Sequence, residues 1–200
     1  MEQDTLPAAA TPSDATEPRL AGDLAIWFFI LAELLAFGVF FAAYAFTRAN
    51  NIELFDAEQA ALNRNAGALN TVLLLTASYF VVRAVQAAEH SLSQPCARWL
   101  LAAIACGAGF LVVKMFEYAA AFEHNISLSS SPFHMFYLSL TFFHFMHVIL
   151  GMVILVAMWN GARQGRYRPG EMNGIETGAA YWHMVDLVWL ILFPLVYVIH

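Results

Sequence analysis

The sequence predicts an all-α protein, an integral membrane bundle of five transmembrane helices. Three observations carry this. Hydrophobic residues make up 60% of the 200-residue chain and charged residues 12%, against roughly 45–50% and 25% in soluble domains. The apolar residues gather in five runs, each long enough at 1.5 Å rise per residue to cross a hydrocarbon core of about 30 Å. Trp27 and Tyr44, Trp99 and Tyr118, Tyr137 and Trp159, and Tyr181, Trp182 and Tyr197 bracket four of the runs, as interfacial aromatics do. A soluble bundle of helices this apolar would lack the polar faces that water requires.

Residues 1–21 are rich in Pro, Ala and acids and have one base, Arg19. With neither a basic start nor an apolar core they do not read as a secretory signal, and a disordered polar tail is expected. Residues 22–200 form the five-helix transmembrane domain. The first span covers about 24–46, with Glu33 its only charge. The second, about 69–88, is more polar, holding Asn70, Thr71, Thr76, Ser78 and Arg83. The third, about 97–122, carries Lys114 and Glu117. The fourth, about 133–159, holds His144 and His147, and the fifth, about 178–199, holds His183 and Asp186. Connections are short except for 47–68, expected to be a polar loop packed over one end of the bundle.

Charge sets orientation and excludes partners. A net charge of −6 leaves no basic patch for nucleic acid. Arg19, Arg98, Arg163, Arg166 and Arg168, with Arg83 within snorkelling reach, fall on one side, against Arg48 and Arg64 on the other. The positive-inside rule then places the N-terminus in the cytoplasm and the C-terminus outside. Cys96 and Cys106 show no metal-binding spacing and no disulfide framework.

Ionisable groups at membrane depth are functional candidates. Lys114/Glu117, His144/His147 and His183/Asp186 each have i,i+3 spacing, which places both members on one helix face. Glu33 has no charged neighbour on its own helix, so a histidine of the fourth span is its expected partner. These residues leave three readings open. A hydrogen-bonded cluster could fix helix packing. A metal or haem could be held by His144, His147 and His183, although the Glu-x-x-His motif of di-iron bundles is absent. A proton-conducting channel could run through Glu33. Small residues at Ala103/Gly107 and Ala105/Gly109, and Gly151 one turn past His147, predict close helix approach.

Five segments in order then carry a family resemblance. Ile30-Leu31-Ala32-Glu33 lies in the first span, Leu69-Asn70-Thr71 opens the second, and Glu117-Tyr118 lies in the third. Phe143-His144-Phe145-Met146-His147-Val148-Ile149-Leu150-Gly151 is similar to a family pattern Phe-His-Gly-x-His-Val-x-x-Gly. Tyr181-Trp182-His183-Met184-Val185-Asp186-Leu187-Val188-Trp189 is similar to Trp-His-Phe-Val-Asp-Val-Val-Trp. Together they resemble subunit III of the haem–copper cytochrome oxidases across about residues 22–199. Long members have seven helices and this chain matches the last five. Phe145 stands where the family has glycine between the histidines, which bears on close packing there. The five-helix form, with Gly22-Asp23-Leu24-Ala25-Ile26-Trp27 and the segment 67–78, most resembles the NorE-type branch associated with nitric oxide reductase.

The resemblance implies an accessory subunit that is not itself an enzyme and has no haem or copper of its own. It implies a lipid-filled cleft with bound phospholipid. The implied partner is the catalytic subunit of a haem–copper oxidase or nitric oxide reductase. The implied role is stabilising that subunit while supporting oxygen or NO access and proton uptake. By position, Glu33, Glu117, His144, His147, His183 and Asp186 occupy the family's intramembrane polar sites, with Ala103, Gly107, Gly109 and Gly151 as packing positions.

Overall fold

A computed structural model describes residues 23–199, so the expected polar tail lies outside the described residues. The five spans are the helices α1 (Leu24–Ala49), α3 (Arg64–Glu89), α4 (Ser93–Glu123), α5 (Pro132–Arg163) and α6 (Asn173–Phe193), the last running on into a π-helical turn, Pro194–Val198. All five are long and apolar enough to cross a membrane. Each extends past its apolar run, because backbone bonding continues into the polar interface until a cap or turn ends it. Asn63 caps α3 by accepting from the Ala66 N–H (3.1 Å). Ser131 caps α5 by accepting from the His134 N–H (3.1 Å), with Pro132 in the first turn, where its missing N–H costs nothing. Ser91 and Asn125, both at positive φ, end α3 and α4.

The connection 47–68 is more than the polar loop expected. It contains a nine-residue helix, α2 (Ile52–Ala60). The segment is too short for a clear period in the sequence, and the bundle supplies what orders it. Phe55 is buried with its ring edge-on to Tyr44 (5.4 Å) and Phe133 (5.5 Å). Arg48 pairs with Asp56 at 2.9 Å, and the Ser131 hydroxyl donates to Glu58 Oε2 at 2.5 Å.

Helices α3, α4, α5 and α6 pack as a closed ring, α6 returning to α3, while α1 leans on α6 and α5 from outside. Burial follows this arrangement: α6 is the most enclosed span and α1 the least. Apolar side chains on the outer face of α1, Phe28, Leu35 and Phe46 among them, are exposed, as a hydrocarbon-facing surface permits. The Asp23 N–H donates to Thr177 Oγ1 (3.2 Å), so α1 and α6 begin at the same end. That end also carries the α3–α4 and α5–α6 connections and is the arginine-rich one. At Pro194 the missing N–H shifts the backbone bonding, and the Ile199 N–H reaches back five residues to the Pro194 carbonyl (2.9 Å).

Candidate functional site

The intramembrane polar residues form three separate groups. In the first, α1 meets α5. His147 Nε2 lies 3.0 Å from Glu33 Oε2, and Nδ1 lies 2.8 Å from the Phe143 carbonyl. A carbonyl only accepts, so Nδ1 carries a hydrogen and donates. The Nε2–Glu33 contact then contains one proton, whichever atom holds it. Glu33 and His147 keep 21% and 11% side-chain exposure, so one carboxyl edge remains at the protein surface. Phe37 and Phe143 turn ring edges toward the imidazole (5.4 and 4.6 Å), and the Tyr181 hydroxyl donates to the His147 carbonyl (3.2 Å), bringing α6 to the same turn.

His144 does not join this latch, although the i,i+3 spacing suggested that it would. Three residues on a helix subtend about 300°, which leaves a 60° divergence. That rotation carries His144 to the bundle centre, fully buried among Phe37, Phe110 and Trp189 at 5.2–6.4 Å between ring centroids. Neither ring nitrogen has a hydrogen-bond partner among the described residues.

The second group joins α4, α5 and the π-turn. Lys114 is fully buried and donates to Glu117 Oε2 (3.0 Å) and to the Tyr197 hydroxyl (2.7 Å). Glu117 Oε1 accepts from Tyr137 (2.7 Å) and Tyr197 (2.5 Å). The ammonium also stands 5.3–5.5 Å from the ring centroids of Tyr118, Tyr137, Trp189 and Tyr197, within cation–π range. A buried charge pair is tolerable when its remaining donors and acceptors are satisfied, and this one closes its own network. The Lys114/Glu117 spacing was legible. Tyr137 and Tyr197 were not, because they arrive from elements distant in the chain.

The third group separates another expected pair. His183 and Asp186 do not bond each other. His183 Nδ1 lies 2.7 Å from the Ser78 hydroxyl on α3, and Asp186 Oδ1 is buried without a hydrogen-bond partner among the described residues. His183 also lines a cleft of about 630 Å³ between α1, α3 and α6. Its walls are apolar, with Trp27, Ile30 and Leu187 among them, and Glu89 and Glu176 stand at its arginine-rich end. Nearby, Trp189 Nε1 donates to Thr71 Oγ1 (3.0 Å), which in turn donates to the Gly67 carbonyl (2.9 Å). The Leu69-Asn70-Thr71 segment thus ties α3 to α6.

The three histidines proposed for a metal or haem therefore point into three surroundings: a carboxyl latch, an aromatic cage and a serine. No group of three or more His, Cys, Asp or Glu is placed to share a metal among the described residues. The small residues divide too. Gly107 of α4 and Gly151 of α5 both receive the indole of Trp182, where an added Cβ would fall 3.0 and 2.9 Å from ring carbons. Ala103 is buried and Gly109 meets Leu73 of α3, whereas Ala105 is exposed. Phe145, in place of the family glycine, is buried with its ring edge-on to Tyr118 of α4 (5.8 Å).

Fold and polar groups together define a class: a multi-pass membrane protein in which several intramembrane polar contacts tie one helix to another. The family model described as Cytochrome c oxidase subunit III matches residues 17–200. The chain is 29% identical to a cytochrome c oxidase subunit 3 of Thermostichus vulcanus over 88% of its length and 86% of the relative's. It is 31% identical to another from Corynebacterium diphtheriae, over 86% and 84%. A heme-copper oxidase subunit I+III of Aeropyrum pernix is 30% identical over 88% of this chain and 22% of its own. The chain belongs to the cytochrome c oxidase subunit III family.

Proposed function

We propose that the chain is an accessory, non-catalytic subunit of a respiratory haem–copper oxidase in a bacterial inner membrane, with its N-terminus cytoplasmic and its C-terminus periplasmic. The observation that carries this reading is the family match across the whole bundle, joined to polar groups engaged in holding helices together. The Aeropyrum relative, named subunit I+III, supports a catalytic subunit I as the partner.

In this reading the α1/α3/α6 cleft takes phospholipid acyl chains along its apolar walls. Glu89 and Glu176 supply proton-exchanging groups at its cytoplasmic mouth and His183 one deeper along its wall, where they would support proton uptake by the partner. Length does not select the NorE-type branch, because the Thermostichus and Corynebacterium relatives are matched over most of their own lengths and share the short form.

The test is isolation of the tagged full chain from its native membrane in gentle detergent. Co-purification of a haem–copper oxidase core in stoichiometric amount is expected. Recovery of a nitric oxide reductase core instead would move the protein to the other branch, and recovery of neither would refute the accessory role. Stoichiometric haem or metal retained by the isolated chain would also refute it.

A further inference from the structure

Charge is unevenly placed at the arginine-rich end. Glu89 and Glu176 stand at the mouth of the α1/α3/α6 cleft. A second cavity of about 420 Å³, between the start of α4 and the end of α5, is instead lined by Ser93, Gln94, Arg98, Leu101, Trp159 and Arg163 among others. Neither Arg98 nor Arg163 has an ion-pair partner among the described residues. Arg163 is held over the Trp159 ring, 4.9 Å from its centroid, which fixes its stem and leaves its N–H fork to bond elsewhere. Ser93 and Gln94 open α4, a 31-residue helix whose first turn has no side-chain cap, so the backbone partial charge there adds to the two guanidiniums. The cavity suits carboxylates.

Residues 1–22 lead into α1 at this same end. They hold four acids, Glu2, Asp4, Asp14 and Glu17, against one base, Arg19. The Asp23 N–H bond to Thr177 Oγ1 (3.2 Å) fixes where this segment meets the bundle, at the first turn of α6. The α5–α6 connection beside it extends to the cavity, since a Cβ on Gly165 would stand 3.7 Å from Ser93 Oγ. The crossing is about 20 Å, two interhelical spacings. Glu17 and Asp14 precede Asp23 by six and nine residues, which extend to about 20 and 30 Å. A tether this short holds the carboxylates at roughly millimolar effective concentration, enough to populate a contact made of individually weak exposed pairs. We propose that the chain's own acidic segment 14–17 docks in this cavity, with the carboxylates of Asp14 and Glu17 on Arg98 and Arg163. The contact neutralises this basic face from within the chain. It forms inside a single chain, so it does not depend on the accessory role.

Double electron–electron resonance on the full chain in phosphatidylcholine nanodiscs tests the proposal, with nitroxides on T11C and H90C in a C96A/C106A background. At low salt a narrow distance population is expected, giving way to a broad one at about 0.5 M salt, where exposed charges are screened. R98Q/R163Q should lower the ratio of narrow to broad population about fivefold, the scale of losing two exposed ion pairs. D14K/E17K should do the same, and D14K/E17K combined with R98E/R163E should restore the narrow population. R48Q, at the opposite end of the bundle, should leave it unchanged. A broad distribution alone in the parent chain, or a narrow population that survives R98Q/R163Q, would overturn the contact. Loss of the narrow population in phosphatidylglycerol nanodiscs would show that head groups hold these arginines instead, and would overturn the assignment to the chain's own segment. Co-purification of an oxidase core reads a different contact, so the two readings fail separately.

Discussion

Replacing His147 with leucine and His144 with leucine should have opposite consequences, although the two residues lie one helical turn apart. His147→Leu removes the ring that lies between Glu33 of α1 and the Phe143 carbonyl of α5. The Glu33 carboxyl, only 21% exposed, loses its one partner on another helix. Leaving such a group unsatisfied costs about 1–3 kcal/mol, and the lost hydrogen bond itself about 1 kcal/mol. A net loss of about 2–3 kcal/mol corresponds to roughly 4–12 °C in Tm for a chain of this size. His144→Leu removes two buried nitrogens with no protein partner and puts a side chain of similar volume into an aromatic cage. Exchanging an unsatisfied polar group for an apolar one is neutral or stabilising, so Tm should hold within about 2 °C or rise. Thermal unfolding of the purified variants in one detergent, followed by tryptophan fluorescence, measures both. Glu33→Gln, which keeps a donor toward Nε2, should fall between wild type and His147→Leu. Equal losses for the two histidines, or no loss for His147→Leu, would refute the assignment of the latch to His147 alone.

Two further outcomes follow from the packing. Lys114→Met strips one partner from a buried charge network and should cost about 3 kcal/mol, whereas Lys114→Met combined with Glu117→Gln should recover part of that loss in the same unfolding assay; a double variant worse than the sum of the singles would contradict the closed network. Gly151→Val places side-chain carbon against the Trp182 indole, where even a Cβ would fall at 2.9 Å, and should cost about 1–3 kcal/mol through overpacking, with a change in tryptophan emission as the independent sign that the ring has moved.

The subunit III fold class is set by composition and by apolar run length, both local properties, and so it was legible without coordinates. In a bilayer every backbone group must be satisfied within its own segment, so a run long enough to span dictates a helix. Glu33 likewise announced its need for a partner on another helix, because nothing within one turn along its own could serve. The Lys114/Glu117 pair was legible for the complementary reason, since i,i+3 contacts are made within one helix.

The tertiary structure alone decided how groups of equal local standing were used. His144 and His147 share a spacing, yet a 60° rotation about the helix axis sends one into an aromatic core and the other to a carboxylate. His183 and Asp186 share the same spacing, yet Ser78, 105 residues away in the chain, takes the histidine. Tyr197 reaches Lys114 across 83 residues, after a turn whose backbone register is reset at Pro194. Helix α2 forms because Phe55 finds Tyr44 and Phe133 to bury against, a condition no nine-residue segment carries in itself. Sequence spacing fixes which residues share a helix face, and only the packing of five helices fixes what that face meets.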